Sequence, residues 1–474
     1  MTRGALLATL GVAVATFALP ALAAGPGGPA VDGREINLLW AVPFAGILLS
    51  IAIMPLAVPH FWHHHFGKVS AVWAILVVVP FAVNFGLSTM VYEILHLLLL
   101  DYIPFIVLLL ALFTVTGGIH IKGNLHGSPS MNTALLAIGT MLAGWMGTTG
   151  ASMLLIRPLL RANDDRRHKV HVFVFFIFLV SNIGGALTPL GDPPLFLGFL
   201  KGVSFFWTTT HLFSEMLFCI IALLVLFYAL DSYWYRKEGY RKRDPTPESP
   251  VRIDGGFNVI LLAAVVGAVL MSGSWNPGVS FTIFHVTLEL QHVLRDLLLV
   301  AICFASLRLT SRQVRSENSF TWGPMLEVAK LFAGIFITIA PVIAILKAGQ
   351  DGALAPLVSM VTNPDGQPNN VWYFWLSGIL SSFLDNAPTY LVFFNIAGGD
   401  PVALMGPLAS TLTAISCGAV FMGAITYIGN APNFMVKAVV EEADIRMPSF
   451  FGYMAWSCAI LIPLFVLLTL VFFR

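Results

Sequence analysis

Charge is what this sequence has least of. Asp, Glu, Lys and Arg make up 10% of its 474 residues, against roughly a quarter in an ordinary soluble domain. A water-soluble enzyme is excluded on that ground. The 25 basic and 24 acidic residues nearly cancel, so no global field exists to gather nucleic acid, and nucleic-acid partners are set aside. Cysteine is scarce too: Cys219, Cys303, Cys417 and Cys458 each lie in an apolar run, with no CxxC or Cys/His metal spacing, and read as small core hydrophobes. HExxH and GxSxG are both absent, and Ser152 has no evident His partner, so an intramembrane protease is not supported and no enzyme activity is expected. What abounds is apolar surface. Hydrophobic residues reach 57% and the mean hydropathy is +0.85, more than a single anchor of about 20 residues would give a soluble protein. The bulk of the chain belongs in the lipid bilayer.

Residues 1–23 read as a cleavable signal peptide, with Arg3 before an apolar core and Ala21-Leu22-Ala23 as the cleavage pattern. Ten spans are expected near 37–58, 69–86, 102–118, 170–200, 211–230, 256–272, 293–307, 325–346, 411–436 and 450–473. Two further apolar stretches, 131–160 and 371–397, are interrupted midway by small, polar or helix-breaking residues and are expected to be re-entrant hairpins. Counting each hairpin as returning to its own side makes three cytoplasmic loops basic: Arg161, Arg166, Arg167 and Lys169; Arg236, Lys237, Arg241, Lys242, Arg243 and Arg252; and Arg308, Arg312 and Arg315. The alternate loops are poor in Lys and Arg, 347–370 holding just Lys347. The loop at 236–254 is a linker between a first half, 31–235, and a second, 255–474. His63, His64 and His65 are expected in a solvated turn of a short cytoplasmic loop, and Glu93 and His96 in a stretch along the membrane surface before Tyr102.

The two halves share a motif. At an offset of 238, Gly185-Ala-Leu-Thr-Pro-Leu-Gly-Asp-Pro-Pro-Leu-Phe-Leu-Gly198 matches Gly423-Ala-Ile-Thr-Tyr-Ile-Gly-Asn-Ala-Pro-Asn-Phe-Met-Val436 at six of fourteen positions. Each copy follows a hairpin, interrupted by Gly147-Thr148-Thr149-Gly150-Ala151-Ser152 in one case and Leu384-Asp385-Asn386-Ala387-Pro388-Thr389 in the other. Topology counting sends the two copies through the membrane in opposite directions, which makes an inverted repeat.

In hydrocarbon every backbone N–H and C=O must be satisfied, so a helix breaks mid-membrane where the freed groups line a polar cavity. Gly191, Pro193, Pro194, Gly429 and Pro432 are the expected breaks. Freed carbonyls there coordinate a small cation, and new helix N-termini face an anion. Asp192 and Asp385 lie within the breaks, where a carboxylate costs at least about 2.5 kcal/mol to insert. They are the expected titratable ion ligands, with Asn182, Thr188, Asn386, Thr389, Thr426, Asn430, Thr148 and Thr149 supplying neutral oxygens suited to sodium. Arg157 is the other unexpected charge, with three readings: an anion site, a partner for an intramembrane Asp, or a side chain reaching the basic edge.

Two hairpins, each followed by a broken helix, resemble the ion transporter superfamily. The likeness rests on Ser181-Asn-Ile-Gly-Gly-Ala-Leu-Thr-Pro-Leu-Gly-Asp-Pro-Pro194, Asp385-Asn-Ala-Pro-Thr389 and Thr426-Tyr-Ile-Gly-Asn-Ala-Pro-Asn433. Tyr102-Ile-Pro-Phe105 and Ile156-Arg-Pro-Leu-Leu-Arg-Ala-Asn163 narrow it to a bacterial branch of NhaD-like sodium:proton antiporters and citrate transporters. The first hairpin tip departs from the family's Ser-Asn-Thr, having Thr148-Thr149 without Asn, and the first break reads Asp192-Pro-Pro-Leu195 where Pro-Pro-Asn is commoner. The resemblance implies an all-α, multi-pass protein of the bacterial inner membrane, a homodimer of a scaffold and a moving transport domain, with no cofactor beyond sodium and protons as coupling or transported ions. Sodium:proton antiport is the first expectation, because two intramembrane acids face one off-centre Arg. Cation-coupled transport of citrate or another dicarboxylate is the alternative.

Overall fold

A computed structural model describes residues 31–123, 125–239 and 252–474; the signal peptide and most of the linker lie outside the described residues. The architecture is all-α, as apolar composition and the need to pair every backbone group in lipid require. Among the described residues, eight helices are long and apolar enough to cross a membrane: Leu38–Ala57, Pro59–Phe85, Leu87–Thr116, Phe213–Glu238, Phe257–Ser274, Leu290–Leu309, Gly323–Lys347 and Phe450–Phe473. The two spans expected to be broken are the short helices Val170–Leu179 and Ala409–Phe421, each followed by a 3-10 turn and, beyond an extended residue, by a second helix. Two small strand pairs lie outside the helices, His120–Lys122 with Arg252–Asp254 and Ser280–Ile283 with Val286–Glu289.

Two local expectations are corrected. The triple histidine is not a turn: Pro59 opens a helix at its first position, where its missing N–H costs nothing, and that helix runs on to Phe85 with His64 Nδ1 2.9 Å from the His60 carbonyl. Nor do Glu93 and His96 lie on a separate surface segment. No breaker separates Leu87 from Tyr102, and the helix continues to Thr116 through a π-turn at Leu98–Tyr102.

The helices form two groups. In one, Val42–Ala57, Pro59–Phe85, Leu87–Leu97, Ile103–Thr116, Phe257–Ser274, Leu290–Leu309 and Gly323–Lys347 pack on each other. Lipid-facing residues such as Val72, Ile75 and Val83 are exposed here. The other holds both hairpins (Pro129–Met146 with Thr148–Ala162, and Asn370–Phe383 with Asn386–Ile396), both interrupted helices, Phe213–Glu238 and Phe450–Leu468. Every residue from Val172 to Leu179 is buried, as expected of a helix that is apolar all round. Cys219, Cys303 and Cys417 are buried and Cys458 half-buried, all as free thiols.

At the end of the bundle that carries the basic loops, the strand pair is pinned by charge. Lys122 Nζ lies 2.8 Å from Asp254 Oδ2 and 3.1 Å from Glu317 Oε2. Lys122 holds the Asp254 carboxyl below its ordinary range; the Gln313 amide, then Lys122, do the same for Glu317. Carboxylates depressed by folding stabilise above the ordinary carboxylate range and lose that contribution as pH falls through their folded values. Hydrogen exchange at 120–122 and 252–254, corrected for intrinsic rates, is therefore expected to rise selectively below about pH 4. Uniform protection over the whole chain at that pH counts against it.

Candidate ion-binding site at the helix breaks

The first break is built by close backbone approach. After Val180 the chain turns through Ile183–Ala186 and resumes as Pro193–Leu200, with Asp192 as an extended N-cap. A Cβ on Gly191 would sit 2.2 Å from the Gly185 carbonyl oxygen, and one on the matched Gly429 would sit 2.6 Å from that of Gly423. Only glycine lets the two strands of each loop meet. Thr188 Oγ1 donates to the Gly144 carbonyl at 2.5 Å and receives Leu190 N at 3.1 Å. Thr426 repeats both bonds, to the Ser382 carbonyl and from Ile428 N. The matching residues are all 238 apart, so the shared sequence motif corresponds to a shared loop geometry.

Asp192 stands where the pieces converge and is 1% exposed. Its Oδ1 accepts from Thr148 Oγ1 at 2.9 Å and Asn430 Nδ2 at 3.1 Å, and its Oδ2 accepts from Asn386 Nδ2. Thr148 and Asn386 open the returning helices of the two hairpins, Thr148–Ala162 and Asn386–Ile396; Asn430 is the N-cap of Ala431–Glu442. Repeat mates converge here: Asp192 is bonded by its own match, Asn430, and by Thr148 and Asn386, which match each other. All four are buried, and among the described residues Asn386 Oδ1 has no hydrogen-bond partner.

Behind this ring runs an amide chain. Asn430 Nδ2 also reaches the Ser181 carbonyl at 3.1 Å and Asn182 Oδ1 at 3.3 Å; Asn182 Nδ2 donates to Asn433 Oδ1 at 2.7 Å. Asn433 Nδ2 donates in turn to the carbonyls of Gly423 and Thr426. Asn433, Ser181 and Ser382 were not among the expected site residues. The first two lie within the motifs themselves, and their only signal was a polar side chain in an apolar run.

The other expected residues are placed differently. Asp385 is half-buried and caps its helix, accepting from Ala387 N at 3.0 Å; it makes no hydrogen bond to Asp192. Thr389 Oγ1 bonds the Asp385 carbonyl of its own turn, and Thr149 is half-buried beside the ring. Of the three readings of Arg157, pairing with an intramembrane acid is not found among the described residues. Arg157 sits nine residues beyond Thr148 on one helix, about 13 Å along the axis, too far to reach Asp192. No ion pair among the described residues involves either Asp192 or Asp385.

A buried carboxylate held by three neutral donors is not electrically balanced. The helix it caps does not help much: Pro193 and Pro194 have no N–H, and the next donor, Leu195 N, is bonded to the Asp192 carbonyl at 3.1 Å. Such a group is stable when a proton or a small hard cation joins it, and the unpartnered Asn386 oxygen is a suitable further ligand.

Helices broken about a buried acid, within a chain of many apolar spans, define a membrane transport protein. Over residues 33–473 the chain matches the family described as "Putative citrate transport", and it belongs to that family. It is 28% identical over 326 residues to uncharacterized transporters of Mycobacterium bovis and Mycobacterium tuberculosis, covering 67% of this chain and 71% of each relative. A 46 kDa membrane protein of Mycobacterium leprae is 25% identical over the same length.

Proposed function

We propose that this protein moves a citrate-like carboxylate across the inner membrane together with a small cation, sodium or a proton, and that Asp192 is the coupling group. The observation that carries the reading is the ring around Asp192: three neutral donors, one unpartnered amide oxygen and no basic partner. The family's own description supports a carboxylate substrate. That reverses the order of the sequence-based expectations, in which sodium:proton antiport stood first.

The cation does two things in this scheme. It cancels the charge of Asp192, so that an arriving carboxylate does not face a bare anion, and it joins the two hairpin tips through Thr148 and Asn386. The substrate then lies against the N-termini of Thr148–Ala162 and Asn386–Ile396, whose positive dipole ends suit an anion. In this reading the halves 31–235 and 255–474 are an inverted repeat whose re-entrant hairpins enter from opposite sides, and the protein works as a homodimer without a further cofactor. One observation favours a second reading, sodium:proton antiport of the NhaD-like type. Two acids and no basic side chain in ion-pair contact with them stand at the breaks, an arrangement that serves cations by themselves.

Uptake of labelled citrate into proteoliposomes under an imposed sodium or proton gradient, with internal pH followed in parallel, separates the two. Gradient-driven citrate accumulation is the expected result. Sodium-driven proton flux in the absence of any carboxylate, with no citrate uptake, would sink the carboxylate reading and leave antiport.

A further inference from the structure

Two of the four helices that begin at the Asp192 ring end on the neighbouring group of helices. Pro193–Leu200 starts at Asp192 and closes on Lys201, whose Nζ lies 2.7 Å from Asp101 Oδ2. Asp101 is 2% exposed and belongs to the π-turn Leu98–Tyr102; such turns recur at functional sites. Thr148–Ala162 starts beside Asp192 and carries Arg161 in its last turn, with Nη2 donating to the Ile121 carbonyl at 2.6 Å. These contacts lie at opposite ends of the bundle. Between them the two groups meet mostly through apolar and small residues, with Gly150 against Thr116 and Phe199 against Gly273, and with the buried Arg295 guanidinium 6.0 Å from the Phe196 ring.

The two contacts differ in how easily they part. Arg161 bonds a main-chain carbonyl, and another carbonyl along a sliding path accepts equally well. Asp101 is buried with Lys201 as its ion-pair partner and His96 nearby, and separating the pair leaves a carboxylate out of water without that partner.

We propose that the Asp101–Lys201 pair is a latch. It holds the segment bearing Asp192 against the Leu87–Thr116 helix in this conformation and has to part before the site can face the other side. The latch rests on the transporter reading above. A single helix of eight residues links it to the ion site, so cation binding at the Asp192 end is felt at the Lys201 end. Burial makes the variants unequal: Lys201→Gln strands Asp101, whereas Asp101→Asn leaves a lysine side chain that is already 25% exposed.

The test places Asp101→Cys and Lys201→Cys in a Cys458→Ser background, Cys458 being the one native cysteine that is not buried. A short, reducible bis-thiosulfonate then links the pair in proteoliposomes. Linking is expected to slow flux by about tenfold or more, with recovery on reduction and no effect on either single cysteine. Flux through the unlinked pair tests the transporter reading separately. A linked protein that turns over at the unlinked rate overturns the latch. If the wild type moves neither citrate nor protons, the linking rate at constant pH is the readout: saturating sodium is expected to change it about threefold, and an invariant rate overturns the proposal. The exchanged pair Asp101→Lys with Lys201→Asp is expected to transport within about threefold of wild type. Flux no better than that of Lys201→Gln would show that the pairing itself is unimportant.

Discussion

Asp192→Asn is expected to abolish cation-coupled flux, by about a hundredfold or more, while leaving the protein at least as stable as the wild type. The substitution keeps the shape of the side chain and removes the charge that attracts a proton or sodium. It also reproduces the second copy of the motif, where the matched position is Asn430. Thr148, Asn386 and Asn430 already surround the group with neutral hydrogen-bonding atoms. Rotation of one amide lets an asparagine at 192 satisfy them, and a buried charge is gone. Flux in proteoliposomes and thermal unfolding in detergent measure the two halves of the prediction together. Full coupled flux in Asp192→Asn would remove Asp192 from the mechanism and shift attention to Asp385. A large loss of stability would mean that the carboxylate is there for the fold.

Arg166→Ala is expected to destabilise the protein by about 3–5 kcal/mol, the cost of leaving buried acids without their partner. Arg166 Nη2 lies 2.8 Å from Asp231 Oδ1, its Nε donates to Glu238 Oε2 at 3.1 Å, and its Nη1 donates to the Gly127 carbonyl at 3.0 Å. The Arg166 and Asp231 side chains are 1% and 0% exposed. His171 Nε2 and Asn132 Nδ2 complete the shell of Asp231 at 2.8 and 3.0 Å. The cluster ties the base of the first hairpin, the loop after it and the end of Phe213–Glu238 into one unit. The signature is non-additivity: adding Asp231→Asn to Arg166→Ala is expected to recover part of the loss, because it removes one of the stranded charges. Denaturation of the purified variants in detergent gives the comparison. If Arg166→Ala behaves as a surface substitution, within about 0.5 kcal/mol of wild type, the cluster contributes nothing.

The same arginine shows where reading the chain stops. In the sequence Arg166 is one of four basic residues in a loop, and the positive-inside rule uses it as a solvated charge. That rule needs only a count of charges per loop. Nothing local distinguishes Arg166 from Arg167, yet folding buries the first against Asp231, 65 residues away. The triple histidine and the 87–100 run failed for a related reason. Their helical state follows from continuity with a neighbouring span, which a window of local polarity does not register.

Apolar composition and residue period were enough to establish that this chain is an all-α membrane protein with two interrupted helices, because lipid permits few backbone solutions and Gly and Pro mark where they fail. The motif spacing of 238 was also legible, as was the candidacy of Asp192. Packing decided the rest. That Thr148, Asn386 and Asn430 all turn to one carboxylate, that Asp385 caps a helix instead of joining them, that Arg157 stays away, and that Lys201 finds Asp101 a hundred residues earlier are outcomes of how two groups of helices meet. Sequence carries the identity of each polar side chain in lipid, but its partner is set by three-dimensional proximity, since any buried donor has to find whichever acceptor the fold brings within reach.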